Sequence, residues 1–103
     1  MNPVSNPIAL VTGGSRGIGA QIALHLAQDG FTVAVNYTSN PAAADEVVAQ
    51  ITADGGKAFA VQADISDAAA VAAMFDDITK RGDLTVLVNN AGTMRLGRIA
   101  EMD

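Results

Sequence analysis

The chain has 103 residues, is 50% hydrophobic and 17% charged, and fits one small domain, since domains commonly have about 50 to 250 residues. It has no cysteine and one histidine, which excludes a disulfide scaffold, a thiolate zinc site, a cysteine nucleophile and a multi-histidine metal centre. The net charge of -5 argues against nucleic-acid binding, and the lack of a signal peptide or of an apolar run of about 18 residues predicts a cytoplasmic protein without a membrane span.

Short apolar runs alternate with helix-like segments after a polar lead-in over residues 1–6, which we expect to be a flexible N-terminus. Continuously apolar runs are typical of parallel strands whose two faces are both covered by helices. Four such runs, and therefore four predicted strands, span residues 8–11, 31–37, 58–62 and 84–88. Their regular alternation with helices predicts right-handed βαβ units and an α/β fold with a parallel sheet.

Three predicted helices lie between these strands. In the first, apolar residues recur every four positions from Ile18 onward, which indicates a buried stripe. The second begins at Asn40-Pro41, because Asn40 can cap the free amides and Pro41 stands where no hydrogen-bond donor is needed. For the third helix, either Ser66 or Asp67 can serve as the N-terminal cap.

A glycine cluster separates the first strand from the first helix and reads TGGSRGIG over residues 12–19. A helix N-terminus presents unpaired amides and the positive end of the helix dipole, so it attracts phosphate. Gly13 would permit a tight turn, Gly17 the close approach of a pyrophosphate, and Gly19 contact between helix and strand. The spacing is one residue longer than G-x-G-x-x-G at its first interval. A flexible glycine turn is the alternative, but the flanking strand and helix favour a dinucleotide site.

Three motifs together resemble the short-chain dehydrogenase/reductase family. They are the glycine loop, Asp64-Ile65 after the third strand, and the sequence NNAG at residues 89–92 after the fourth. Each lies at the C-terminal end of a predicted strand, where ligands of open α/β sheets bind. The resemblance covers essentially residues 7–103 and is closest to the 3-oxoacyl-carrier-protein reductase-like members.

The resemblance implies a doubly wound, Rossmann-like sheet, present here as its first half with four strands in the order 3-2-1-4. Residues 7–103 would be the N-terminal part of a dinucleotide-binding domain, truncated before the catalytic segment. The strand over residues 84–88 would then lie at an edge, where a flat, continuously apolar pattern predicts pairing or aggregation.

The resemblance also implies a role for individual residues. The loop would contact phosphate or ribose, Asp64 and Ile65 would flank adenine, and residues 90–92 would line the path of the ribose. Asn89 would tie neighbouring strands together through its side chain. In the alternative interpretation, Asp64 only ends a strand and residues 89–90 form an ordinary turn. The expected coenzyme-binding residues are Gly13, Ser15, Arg16, Gly17, Ile18, Gly19, Asn36, Tyr37, Thr38, Ser39, Asp64, Ile65, Asn90, Ala91 and Gly92.

The end of the second strand predicts a preference for NADP(H) over NAD(H). NAD-binding members place an acid there to accept hydrogen bonds from the ribose 2′-OH, but residues 36–39 read NYTS. A carboxylate would repel a 2′-phosphate, whereas hydroxyls and amides would not. The guanidinium of Arg16 can reach that phosphate or stack on adenine. The alternative is a solvated Arg16.

The catalytic pair that the resemblance implies, Tyr-x-x-x-Lys, is not in this sequence. Tyr37 is the single tyrosine, and Pro41 stands at the position of the lysine. We therefore expect no catalytic residue here and an inactive chain, taken from a longer, homo-oligomeric enzyme that transfers hydride between nicotinamide and a small carbonyl or alcohol substrate. The acidic helix residues are interpreted as solvated charges rather than as a metal site.

Two hypotheses from other classes stay open at this point. One is a non-enzymatic nucleotide sensor that uses the glycine loop for binding alone. The other is a structural fragment that pairs its edge strand with another chain and binds no nucleotide.

Overall fold

The computed structural model describes residues 6–90, in which strands and helices alternate throughout. The strands are β1 (Pro7–Thr12), β2 (Thr32–Tyr37), β3 (Lys57–Gln62) and β4 (Asp83–Asn89), and the helices are α1 (Gly17–Gln28), α2 (Pro41–Ala53) and α3 (Ala68–Arg81). All strand pairs are parallel, and the order is β3-β2-β1-β4. The predicted α/β fold and strand order are therefore confirmed, with element ends that differ from the predicted ones by about one residue.

Helices cover both faces of the sheet, which explains the continuously apolar strands. Alternate side chains of a strand point to opposite faces, so Leu10 packs with α3 residues such as Ile78. Its neighbour Val11 packs on the other face with α1 and α2 residues such as Ala23 and Val47. The stretch of β1 from residue 8 to residue 11 is fully buried as a result.

The predicted apolar stripe of the first helix is wrong at its first position. Ile18 is 73% exposed, whereas Ile22 and Leu26 pack partly against the sheet. The helix instead buries Gly19 and Ala23, small residues that allow close packing, and Ile18 lies about 100° around the helix from Gly19.

Side-chain caps begin the second and third helices. The Asn40 side chain accepts a hydrogen bond from the Ala42 amide at 3.1 Å, which confirms the predicted start of α2. For α3 the structure selects Asp67, whose carboxylate accepts from the amides of Ala69 and Ala70. The last turn of α3 carries two exposed ion pairs on its polar face, Lys80 with Asp76 and Arg81 with Asp77.

At the edge of the four-stranded sheet, β4 is less regular than its sequence suggests. Ile8 pairs with Leu84 and Ala9 pairs with Val86, so Thr85 is an extra residue that bulges from the ladder. Burial along β4 alternates between half-buried and exposed, and Leu87 is 38% exposed. The expected flat, uniformly apolar edge is thus interrupted, while pairing of this edge with another chain stays a prediction. No helix within residues 6–90 has the length and apolar character needed to cross a membrane.

Candidate coenzyme-binding site

The C-terminal ends of the parallel strands meet at one edge of the sheet, and the predicted site residues gather there. β1 leads into the glycine loop, β2 into residues 38–39, β3 into residues 63–65, and β4 into Asn90. Ligands of open α/β sheets bind at this edge, near the point where the strand order reverses. That point lies between β1 and β4, the two strands on which the order turns back.

Backbone geometry explains why the loop between β1 and α1 needs glycine. Gly13 and Gly17 have φ values of 62° and 60°, in the left-handed region that other residues rarely adopt. Gly19 is required for a different reason, because a Cβ there would clash with the Gly13 carbonyl oxygen and lie 2.6 Å from Asn90 Nδ2. The three glycines therefore bring the start of α1 against the end of β4.

The N-terminus of α1 differs from those of the other two helices in the described part of the chain. Its cap residue, Arg16, is extended (φ -158°, ψ 167°) and makes no side-chain capping bond, whereas Asn40 and Asp67 cap α2 and α3. The first amides of a helix have no intrahelical partner, and the dipole there is positive. The loop therefore presents the kind of helix end that binds a phosphate group.

A cleft of about 190 Å³ joins this loop to the end of β2. Its lining residues are Gly13, Ser15, Arg16, Tyr37, Thr38, Ser39 and Asn40. The structure thus brings together six of the predicted site residues from two separate segments. Asn40 was expected only as a helix cap, although its position directly after residues 36–39 already signals a place at this cleft. Arg16 is the one charged residue of the lining, and no lining residue is a carboxylate.

Asn36 was expected among the coenzyme-binding residues, but it does not line the cleft. Its side chain is only 1% exposed, and its amide bonds to backbone groups of the glycine loop and of β3. It therefore cannot offer its amide to a 2′-phosphate in the cleft. Its polar type in an otherwise apolar strand was the available signal of a buried hydrogen-bonding role.

The ends of β1 and β4 are joined through a threonine that the sequence analysis left without a role. The buried Thr12 hydroxyl lies 3.1 Å from Asn89 Oδ1 and 3.3 Å from the Val88 carbonyl. It also accepts a hydrogen bond from the Asn90 amide at 2.9 Å, and Asn90 Nδ2 donates to the Gly13 carbonyl at 3.3 Å. Asn89 does tie the strands together, as expected, and Asn90 reaches the glycine loop.

After β3, the two predicted adenine-side residues differ in exposure. Asp64 is exposed, whereas the Ile65 side chain is 8% exposed and packs in the core on the α3 side. The Ile65 side chain is therefore a core residue, and a place for Ile65 beside adenine stays a prediction. Ala91 and Gly92, the last two expected residues, lie outside the described residues.

The carboxylate of Asp64 is held by its own turn. It accepts hydrogen bonds from Ser66 Oγ at 2.7 Å and from the Ser66 amide at 2.9 Å. The bond from the Ser66 side chain, and after it the bond from the backbone, lowers the pKa of Asp64 from its ordinary value of 3.8. A lowered folded pKa means that the turn is fully stabilised above the ordinary value and loses this stabilisation as the pH falls through the folded value. At neutral pH the exposed group is therefore an anion.

We expect Ser66→Ala to raise the pKa of Asp64 towards 3.8, because the substitution removes the side-chain donor and keeps the backbone donor. An NMR titration of the ¹³C-labelled carboxyl group measures the change. Ser39→Ala, at an exposed serine in the loop after β2, is the control and should leave this pKa unchanged. An unaltered Asp64 pKa in Ser66→Ala would contradict the assignment.

Within residues 6–90, no group of three or more histidine, cysteine, aspartate or glutamate side chains is placed to hold a metal ion. The helix acids instead lie on exposed faces, as Asp76 and Asp77 do in their ion pairs. Tyr37 lines the cleft and has no lysine four positions later. The uncapped start of α1 and the cleft lined by Arg16 suit the site to a phosphate-containing ligand.

Comparison with known proteins identifies the family. Residues 7–103 match the family model of short chain dehydrogenases. Over 88 residues the chain is 61% identical to the uncharacterized oxidoreductase YgfF of Escherichia coli and 52% identical to the 3-oxoacyl-[acyl-carrier-protein] reductase FabG of Staphylococcus aureus, in each case covering 84% of this chain and 36% of the relative.

Solved structures agree with this match. A dehydrogenase/reductase from Sinorhizobium meliloti superposes with a TM-score of 0.81 at 42% identity, over 88% of this chain and 36% of that one. A metagenomic short-chain oxidoreductase in complex with NADP superposes with a TM-score of 0.81 at 37% identity, over 87% of this chain and 41% of that one. The chain thus spans less than half the length of these relatives. These matches favour neither a sensor nor a structural fragment, and the chain belongs to the short-chain dehydrogenase family.

Proposed function

We propose that this chain is the coenzyme-binding part of an NADP(H)-dependent oxidoreductase that transfers hydride between nicotinamide and a carbonyl or alcohol substrate. The observation that carries the proposal is the cleft between the glycine loop and the end of β2, which is lined by one guanidinium and no carboxylate. An NADP complex of a structural relative supports the same coenzyme class.

The residues present fit a dinucleotide. The Gly13 turn and the uncapped start of α1 suit a pyrophosphate, whose negative charge is attracted by free amides and the helix dipole. Any side chain at Gly19 would fill the contact between this loop and Asn90. Asp64, exposed and ionised beyond β3, would accept a hydrogen bond from the amino group of an adenine bound there.

The choice between NADP(H) and NAD(H) is made in the cleft. A 2′-phosphate placed there would meet Arg16, which forms charge-assisted hydrogen bonds with phosphate oxygens. The hydroxyls of Ser39 and Thr38 line the same cleft, and the N-terminus of α2 begins beside it at Asn40. NAD(H) has no 2′-phosphate to bond with Arg16 and would lack the usual carboxylate partner for its 2′-OH.

When bound, the nicotinamide would supply or accept the hydride, while this chain's residues hold and orient the coenzyme. The acid–base group must come from elsewhere, because Tyr37 is the single tyrosine and has Pro41 at the lysine position. We propose that the catalytic pair lies in a further part of a longer protein, since the chain spans 36% of the relatives cited by sequence. That protein would be a cytoplasmic homo-oligomer, and this chain alone would be inactive.

The experiment is a fluorescence titration of the protein with NADPH and with NADH. NADPH should bind more tightly, and Arg16→Ala should weaken NADPH about tenfold, the low end for a hydrogen bond to a charged group at an exposed position. NADH should lose less than about twofold, because it has no 2′-phosphate.

Arg81→Ala is the matched control for this titration. Arg81 is also an exposed arginine, but it is the last residue of α3. It lies at the other end of the strands, beside the start of β4. Its removal should leave both affinities unchanged. Equal binding of the two coenzymes, or tighter binding of NADH by the unaltered protein, would refute the preference for NADP(H).

A further inference from the structure

We propose that Asn36 is a positioning residue of the coenzyme site, whose buried amide sets the distance between the glycine loop and the turn after β3. This inference rests on the proposed function, because it concerns how the same site is held in shape. It assigns Asn36 a role in coenzyme affinity although its side chain is too deeply buried to touch the coenzyme.

On one side, Asn36 holds the tight turn that begins the loop. Its Oδ1 accepts a hydrogen bond from the Gly13 amide at 3.2 Å, and its main-chain carbonyl accepts one from the Gly14 amide at 3.1 Å. Two consecutive amides of the loop are therefore bonded to a single residue of β2. Gly13 is also the residue whose left-handed conformation starts the turn.

On the other side, the same amide group holds the end of β3. Asn36 Nδ2 lies 3.2 Å from the Ala63 carbonyl and 3.3 Å from the Val61 carbonyl, with the Tyr37 carbonyl and Met74 Sδ at 3.4 and 3.6 Å. Ala63 directly precedes Asp64, the proposed adenine-side residue. The side chain thus bonds both to the turn that would meet the pyrophosphate and to the backbone that would meet adenine.

An asparagine amide satisfies this arrangement, whereas an ionised aspartate or a leucine side chain does not. One end of the side chain must accept a hydrogen bond from an amide, and the other must donate to carbonyls. The carboxylate of an aspartate would place negative charge against the Val61 and Ala63 carbonyls in a buried position, where charge is costly. A leucine would leave the amide of Gly13 and the carbonyl of Ala63 without a partner.

The test replaces Asn36 by aspartate and measures NADPH affinity between about pH 5.5 and pH 8, since burial raises the pKa of a carboxyl group into or towards this range. At the upper end, where the carboxylate is charged, the affinity should fall at least about tenfold. It should recover as the pH falls, because a neutral carboxyl both accepts and donates a hydrogen bond.

Other ionisable groups on the surrounding elements must be accounted for in this profile. They include Arg16 on the glycine loop, Tyr37 on β2, Asp64 after β3 and Asp77 on α3. The unaltered protein carries all the groups of these elements, so its own profile measures their contribution. The recovery must therefore appear in the ratio of the two affinities.

Asn6→Asp is the matched control, because Asn6 makes a comparable pair of bonds at the opposite end of the sheet. Its Nδ2 donates to the Arg81 carbonyl at 2.7 Å, and its Oδ1 accepts from the Thr32 hydroxyl at 3.1 Å. This variant should unfold at a lower temperature and keep its NADPH affinity within about twofold at every pH. A purely structural Asn36 would behave in the same way.

The outcomes separate the two proposals. If the unaltered protein binds no NADPH, both the proposed function and this inference are wrong. If it binds and Asn36→Asp binds equally well, or is weakened without recovery at lower pH, only the positioning role is refuted. Should circular dichroism show that Asn36→Asp is unfolded, Asn36→Ser replaces it: this smaller, neutral variant should bind NADPH at least about tenfold more weakly at all pH values, and normal affinity would overturn the inference.

Discussion

Gly19→Ala should lower NADPH affinity between about fivefold and a hundredfold. The added methyl group would clash with the Gly13 carbonyl oxygen and lie 2.6 Å from Asn90 Nδ2, so the glycine loop must shift away from α1. Forcing an extra carbon into a packed site costs about 1 to 3 kcal/mol, and each 1.4 kcal/mol or so corresponds to about tenfold in affinity. Titration with NADPH measures the loss directly.

A loss of helix propensity cannot account for this result, because alanine is a better helix former than glycine by about 1 kcal/mol. Gly30→Ala is the control, since Gly30 follows the other end of α1, where a Cβ would meet nothing within 4 Å. Its φ of 100° makes that variant less stable but should leave NADPH affinity unchanged. If both variants lost affinity alike, contact between the loop and α1 would not be the cause.

Ile78→Ala should lower the free energy of unfolding by about 2 to 5 kcal/mol, the usual cost of removing a large buried aliphatic side chain. Ile78 is fully buried and belongs to the cluster that joins α3 residues such as Met74 to Leu10 on β1. The loss is large beside a total stability of about 5 to 15 kcal/mol for a small domain. Urea denaturation followed by circular dichroism measures it.

The matched control is Ile18→Ala, which makes the same chemical change at a helical position that is 73% exposed. It should change the free energy of unfolding by no more than about 0.5 kcal/mol. Comparable losses at the two positions would show that Ile18 is buried in the folded protein, contrary to the structure.

The difference between these two isoleucines shows where reasoning from periodicity ends. Both are apolar residues of a helix, and the stripe that begins at Ile18 was expected on a buried face. Spacing tells which residues share a face of a helix, but it does not tell which face the sheet covers. The structure puts Gly19 and Ala23 on the buried face of α1 and leaves Ile18 exposed.

Caps and strands were better determined, since they depend on neighbouring residues. Asn40-Pro41 predicted the start of α2 correctly because the cap bonds an amide two residues away. For α3 the sequence left Ser66 and Asp67 as equal candidates. The structure selects Asp67 and gives Ser66 another partner, the Asp64 carboxylate. The choice between two adjacent capping residues depends on the direction in which the chain leaves β3.

By itself, the sequence determined the alternation of strands and helices, the glycine loop and the family resemblance, because these depend on residues close together in the chain. Only the tertiary structure decided that Asn36 is a buried bridge rather than a lining residue, and that Thr12 joins β1 to β4. Those bonds connect residues 23 to 78 positions apart. They exist because the parallel order β3-β2-β1-β4 brings the C-terminal ends of all four strands to the same end of the sheet. The spacing of residues along the chain does not tell which of these ends become neighbours.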